Sequence, residues 1–447
     1  MSAIPIYRSL PLFVLTLFVL LSGCSGEQSA ETHPDAQVSV RYMHMGVADD
    51  NEDNNQYVMR QFPYAIAQRF PGIALESDML PEDPYTKTLL VQLSSGEGPD
   101  FFEWWPKRQL EELVAAGYLQ DLTGMDILDR FTSDSLEGFT VDGKVYGLPK
   151  GQSIMATWYN KELFEQQGIT SFPADWPSFL ALCEKLKLTG ITPIVMPDKD
   201  RWFIQFGLYQ LAASLVYSEY PDFDKELLEG TRTFADSPWR EALTKYKLLY
   251  DKGYIAAGSL DVGAAQATAL FTEGKAAMMF NGNWDHARLT ASGKDADKPG
   301  GYDQSAGNRG AAAFEIGFMP LPGNEPGEPL LLSVGPAGGT VINANTRHLP
   351  EVLDILAYQY DPASPLYELY KQNYAVFPMY KGEDLGIPEF HDYTKLMTEH
   401  DSIYFSNQAW PVGVADVLCR GFQDWIAGHG TVDDILNAMD KKLDSLR

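Results

Sequence analysis

Val38-Ser39-Val40-Arg41-Tyr42-Met43-His44-Met45, an acid and amide loop from Asp49 to Gln56, and Tyr57 to Phe70 closed by Pro71-Gly72 form the stretch on which the fold turns. The first run alternates, with Val38, Val40 and Tyr42 on one side, the period of a strand. Tyr57 to Phe70 reads as a helix that Pro71-Gly72 stops, and a second strand begins at Ile73. Tyr85 to Ser95 reads as another helix, closed by Gly96-Glu97-Gly98-Pro99, and Asp100 to Trp105 as a short strand. Strands alternating with helices predict βαβ units and a largely parallel sheet.

Toward the C-terminus the rhythm continues. Ile154 to Tyr159 is strand-like, Lys161 to Gln167 a helix stopped by Gly168, Trp176 to Leu188 a helix and Ile191 to Met196 a strand. Trp239, Leu243, Tyr246 and Tyr250 fall on one helical stripe. Val352, Ile355, Leu356 and Gln359 mark another, after a strand at Thr340 to Asn343. Gly293 to Pro329 is rich in Gly and Pro and reads as loops around a strand at Glu315 to Met319.

Toward the N-terminus, Arg8 precedes the apolar run Leu10 to Leu21, and Leu21-Ser22-Gly23-Cys24 follows. A basic start and a short apolar run are the pattern of a secretory signal, whereas a spanning helix needs about 20 apolar residues. The ending resembles the bacterial lipobox. That resemblance implies a signal peptide over residues 1–23, lipidation of Cys24, and an extracytoplasmic protein held to the cell membrane by the lipid alone. Residues 24–35 read as a flexible tether. What remains is longer than one core usually holds, so two or three lobes are expected.

The 61 acidic against 34 basic side chains give a formal charge of −27, which argues against nucleic acid as a partner. Cys183 and Cys419 lie in helix-like runs without Cys-x-x-Cys spacing, and read as two buried thiols or as a bridge. The seven histidines stand singly, and neither a His-Glu-x-x-His nor a Gly-x-Ser-x-Gly motif occurs. Gly335-Pro336-Ala337-Gly338-Gly339 lacks the spacing of a dinucleotide or phosphate loop. Asp49 to Asp53 imitates a calcium loop, but Asn54 and Arg60 stand where that loop needs Gly and Glu. Neither cofactor nor metal is expected. A pair of glycosidase carboxylates has no sequence spacing to betray it, so a secreted carbohydrate-active enzyme stays as the alternative.

Aromatic residues are abundant, with 9 Trp, 23 Tyr and 23 Phe. Several Trp stand beside polar residues at strand ends: Trp104-Trp105, Arg201-Trp202, Asn283-Trp284-Asp285, and Trp410 near Asn407 and Gln408. Ligands of open α/β sheets sit outside the carboxyl ends of the strands. An indole packs on the C–H face of a pyranose, and carboxylates or amides beside it take the hydroxyls.

Six motifs then occur in one order. They are Ser95-Gly96-Glu97-Gly98-Pro99-Asp100, Val141-Asp142-Gly143-Lys144-Val145-Tyr146-Gly147-Leu148-Pro149, Trp158-Tyr159-Asn160-Lys161-Glu162-Leu163-Phe164, Asp175-Trp176-Pro177-Ser178-Phe179, Phe271-Thr272-Glu273-Gly274-Lys275-Ala276-Ala277-Met278 and Gly282-Asn283-Trp284. Together they resemble the sugar-binding extracellular solute-binding proteins of ABC transporters, relatives of maltose-binding protein. The resemblance implies an α/β fold of the periplasmic-binding-protein type II: a two-lobed clamp, each lobe a mainly parallel sheet flanked by helices, joined by several hinge crossovers. Lobe 1 is expected over 36–150 and 338–373, and lobe 2 over 151–337 and 374–447. The family's hinges would fall near Gly151 to Ala156, Ser333 to Gly338 and Asn373 to Tyr380.

The same resemblance implies a monomeric binding protein rather than an enzyme. It would carry a carbohydrate to the transmembrane subunits of an ABC permease, or the same fold would serve another solute. Implied ligand contacts are Asp49, Asp50 and Asn51 in the loop after the first strand, Trp104, Gln152 and Ser153, Trp202, Trp284 and Asp285. Gly338 and Gly339 join them at the second hinge. Where the family places an acid followed by a basic residue, this chain has Lys107 and Arg108, so the acid is absent. Ala415 takes the place of the last family aromatic, for which Trp410 is the substitute.

Overall fold

The computed structural model describes residues 38–46, 57–131, 133–290, 312–374, 380 and 386–446. Its strands, in chain order, are β1 (Val38–Met45), β2 (Ile73–Leu80), β3 (Phe101–Trp104), β4 (Thr140–Val141), β5 (Lys144–Val145), β6 (Gly147–Pro149), β7 (Gln152–Asn160), β8 (Thr192–Ile194), β9 (Ala276–Gly282), β10 (Ile316–Met319), β11 (Leu332–Pro336), β12 (Gly339–Ile342) and β13 (Ser402–Ile403). They form two principal sheets. One runs β2-β1-β3-β12-β6, the other β13-β11-β7-β9-β8 with β10 added beside β7.

The opening βαβ reading survives as the parallel trio β2-β1-β3. Between β1 and β2, a π-helical turn at Tyr57–Gln61 leads into an α-helix at Phe62–Arg69. Pro63 follows directly after that π-helical turn, as the second residue of the α-helix. The sheets are mixed, however, not mainly parallel. β12 runs antiparallel to β3 and β6, and β7 antiparallel to β9, β10 and β11. The cause is the repeated passage between lobes: a strand arriving from the other lobe enters its new sheet from the crossover end and so opposes the strands that finish there.

Two of those passages lie side by side. β6 passes into β7 through Lys150-Gly151, and β11 into β12 through Ala337-Gly338. The Lys150 N–H donates to Gly338 O at 3.1 Å and the Ala337 N–H to Gly151 O at 2.7 Å. After the Pro365–Tyr374 helix, Tyr380 still packs with the first lobe, its hydroxyl donating to Tyr360 O. Phe390 and Tyr393 already belong to the second. Tyr380 stands at the end of the third hinge expected at Asn373 to Tyr380, on the first lobe's side.

Each sheet carries a core on both faces. Val40, Tyr42, Phe101 and Ile342 pack on one face of the first sheet, and Met43, Phe102, Trp104 and Val341 on the other. The second sheet is enclosed the same way, by clusters around Phe280 and around Trp158. β9 is buried along its whole length, which is why its sequence is apolar without alternation.

Several family-like motifs explain themselves as folding instructions. Asn160 caps the Lys161–Gln166 helix by accepting from the Leu163 N–H, and Asp175 caps Trp176–Leu188 by accepting from the Ser178 N–H. Asp142 and Gly143, with φ of 50° and 77°, form the tight turn between β4 and β5. Asp100 is buried, with Oδ2 accepting from the Arg41 N–H at 2.8 Å and Oδ1 from Thr346 Oγ1 at 2.6 Å. Its motif ties β1, the start of β3 and the turn after β12 together.

Candidate functional site

Strand direction fixes where a ligand would be held. Gly339, the first residue beyond the second crossover, pairs with Trp104, so the carboxyl end of β3 and of its parallel neighbour β1 faces the crossovers. In the other lobe, Gly282 at the carboxyl end of β9 pairs with Met155 near the start of β7, and β8 runs parallel to β9. The carboxyl ends of β1 and β3 therefore face those of β8 and β9 across the crossovers.

Trp202 and Trp284 both stand beyond second-lobe strand ends. Trp202 lies in a short 3-10 turn at Arg201–Phe203 and Trp284 in another at Asn283–Asp285. Both are half-buried and meet on one ring. Phe206 lies edge-on to each, with ring centroids 5.2 Å from Trp202 and 5.3 Å from Trp284. Trp284 is aimed by its neighbours. Asn283 Oδ1 accepts from the Ile154 N–H at 2.7 Å and Asn283 Nδ2 donates to Gln152 O at 3.3 Å, fastening the turn to the start of β7. Trp158 Nε1 donates to Gly282 O at 3.1 Å from beneath.

Other expected contacts are placed differently. Asp49, Asp50, Asn51 and Cys24 lie outside the described residues. Trp104 retains 2% of its exposure; it packs among Tyr85, Phe102 and Trp105, and its Nε1 donates to Gln109 O at 3.0 Å. It has no face to offer a ligand, and this corrects the expectation. Parity is the reason: Trp104 shares its side of β3 with Phe102, which points into the core. Trp105, one residue on, is half-buried.

Trp410 is corrected likewise. It retains 1% of its exposure, is walled in by Tyr209, Phe234 and Trp239, and donates Nε1–H to Asp224 Oδ1 at 2.9 Å. Asp285 is buried and its carboxylate is occupied, accepting from Asn281 Nδ2 and pairing with Arg288 at 3.2 Å. It braces the turn that carries Trp284 instead of reaching outward.

Gln152 and Ser153 open β7, in register with Pro336 and Gly335; Gln152 is partly exposed and Ser153 buried. Gly338 and Gly339 are points of close approach. A Cβ on Gly338 would stand 3.1 Å from Glu103 Oε1, and one on Gly339 2.3 Å from the Phe139 ring. Cys183 and Cys419 are both buried and unbridged. Lys107, at the position of the missing family acid, instead reaches the second lobe, its Nζ 3.5 Å from the centre of the Tyr404 ring.

Three ionisable groups meet at the crossovers without a motif in the sequence to mark them as a set. Glu103 Oε2 lies 2.5 Å from His44 Nε2 and 3.1 Å from Lys150 Nζ. Burial alone would raise the Glu103 carboxyl; His44 and Lys150 outweigh it and hold the group down to about 2. Burial lowers His44 and Lys150 from their ordinary values, against the pull of Glu103. The available signal was a single charge in each of three otherwise apolar strand ends.

The sequence pattern of the family described as bacterial extracellular solute-binding protein matches residues 53–364, well over half of the chain. A multiple sugar-binding protein from Streptococcus mutans is 24% identical over 344 residues, covering 76% of this chain and 75% of that protein. A galactooligosaccharide-binding protein from Bacillus subtilis is 25% identical over 228 residues, 47% of this chain and 50% of its own. Among solved structures, a chitin oligosaccharide binding protein superimposes with a TM-score of 0.77 at 24% identity, covering 91% of this chain and 98% of that one. A solute-binding protein in complex with raffinose gives 0.74 at 19%, covering 92% and 99%. At such identities these structures establish the two-lobed fold.

Proposed function

Since the chain belongs to the bacterial extracellular solute-binding protein family, we propose that it is a lipid-anchored carrier, capturing an oligosaccharide between its lobes for an ABC importer. The observation that carries this reading is the pair Trp202 and Trp284, gathered on Phe206 at strand ends that face the other lobe across the crossovers. Indole faces of that kind suit the C–H surface of a pyranose. Sugar contacts divided between two lobes form only when the lobes meet, so ligand shifts the population toward a closed shape. A permease that reads the closed shape receives only loaded carriers.

The chain is read as a binder, not an enzyme, in keeping with relatives that are named for binding sugars or a galactooligosaccharide. Anchoring through Cys24 accords with the lipobox-like ending and with the family's extracellular character. No helix among the described residues is long and apolar enough to cross a membrane.

The test is calorimetry of the detergent-solubilised chain against raffinose, stachyose, a chitin oligosaccharide and a xylo-oligosaccharide. At least one should bind with a Kd of about 10 μM or tighter and leave the solution uncleaved. Trp284→Ala should weaken that binding about tenfold or more. A product appearing from the bound sugar would favour an enzyme, and binding unaffected by loss of Trp284 would displace the site.

A further inference from the structure

β3 carries one charged residue, and its place in the strand decides what it reaches. Phe101 and Glu103 share one face, Phe102 and Trp104 the other. While Trp104 turns into the core, Glu103 turns to the side of Tyr42 and His44 on β1. Its Oε2 is held by His44 Nε2 at 2.5 Å and by Lys150 Nζ at 3.1 Å. Lys150 belongs to the first crossover and is itself fixed, its Nζ donating to Tyr42 OH at 3.2 Å and its carbonyl accepting from Tyr370 OH at 2.8 Å.

The other oxygen is not used. Among the described residues Oε1 takes no hydrogen bond, and the side chain keeps 17% of its surface open. Oε1 points past Gly338 of the second crossover, 3.1 Å from where a Cβ would stand. The carboxylate thus sits at the carboxyl end of β3, between the two crossovers, on the first lobe's side of the site. Oε2 is the oxygen enclosed by the fold, which leaves Oε1 for a partner from outside.

We infer that Glu103 is the first-lobe ligand acceptor: Oε1 receives a hydrogen bond from a saccharide hydroxyl, and His44 and Lys150 are positioning residues that fix Oε2. This rests on the oligosaccharide-binding reading above, and it supplies the acid missing at Lys107 and Arg108. An ionised carboxylate accepts only, and a hydroxyl donating to it makes a short, charge-assisted bond. Two ion pairs already made by Oε2 leave Oε1 little freedom to lose when sugar arrives. Gly338 has no side chain to stand in the way.

The experiment uses the same chain and the four saccharides named above, read by calorimetry. Glu103→Gln should weaken the best-bound saccharide about 10- to 100-fold, the scale of a lost hydrogen bond to a charged group. Because that change strands the Lys150 ammonium in a buried place, Glu103→Gln combined with Lys150→Met removes both charges together. Circular dichroism and Tm establish that this double variant is folded, and its affinity should fall as far. If the parent binds sugar and the folded variants bind within twofold of it, the inference is overturned and the carrier reading stands. A lowered Tm with unchanged affinity assigns Glu103 to structure alone and overturns it equally. If none of the four saccharides binds the parent, both the carrier reading and the inference fall.

Discussion

The indole of Trp284 lies directly over Gly282, so close that a Cβ on the glycine would stand 2.2 Å from its ring carbons. A methyl group there has to move the ring. Gly282→Ala should therefore displace Trp284 and weaken saccharide binding about tenfold or more, as Trp284→Ala does. The two changes made together should cost no more than one, because each removes the same platform. Calorimetry on the three variants checks this; additive losses would separate the glycine from the indole.

Asp100 supports the fold rather than the ligand. Both carboxylate oxygens are engaged, with the Arg41 N–H and Thr346 Oγ1. Asp100→Ala should destabilise the first lobe by about 2–3 kcal/mol in urea unfolding, the scale of hydrogen bonds to a charged group. Saccharide affinity of the folded fraction should stay within twofold.

Large aromatic residues should divide by burial. Trp104→Ala and Trp410→Ala empty core positions and should each cost about 3–5 kcal/mol of stability. Trp202→Ala should cost less stability and more affinity. Denaturant unfolding and titration of all three variants give the pattern directly.

The lobes should respond to acid in opposite senses. In the second lobe, burial pushes Asp198 and Asp224 up to about 6, against the hydrogen bonds from Tyr250 and from Trp410 and Tyr217. The native state keeps those protons at a pH where the unfolded chain has shed them. Stability of that lobe is thus lost as pH rises from about 4 to about 6, and regained on acidification. In the first lobe, burial depresses His44, so the unfolded chain takes its proton first and stability falls below about pH 6.5. Glu103, held at about 2, adds a second loss below about pH 4.5. Calorimetric unfolding at pH 7 and pH 5 should show the second lobe's transition moving up and the first lobe's down. Parallel movement would contradict the assignment.

How much of this was legible in the sequence follows from what each signal encodes. The helix at Trp176–Leu188 and the stripe Val352, Ile355, Leu356 and Gln359 were readable because amphipathic period and capping are local. The two-lobed architecture came from motif order, and Asn160, Asp175 and Asp100 show why: those motifs are caps and ties that the fold needs whatever it binds. Strand polarity was misjudged, since nothing local distinguishes β12 arriving through a crossover from a strand arriving through a helix.

The site was legible only in part for the same reason. Trp202 and Trp284 stand in turns beyond strand ends, where position alone suggests presentation to a ligand. Trp104 ends a strand, and which way it points depends on the parity of a four-residue run whose buried face the sequence does not declare. Glu103 is not legible in the sequence because its role lies with His44 and Lys150, residues distant in the chain that only the folded sheet brings together. Asp285 reads as a ligand group from its neighbours in the sequence, whereas in the fold Asn281 and Arg288 occupy its carboxylate.

The most direct measurement is a crystal structure of the chain with whichever of the four saccharides binds most tightly. The sugar should lie between the lobes with ring carbons within about 4.5 Å of both Trp202 and Trp284. A saccharide seated elsewhere, with both indoles out of its reach, would contradict the account.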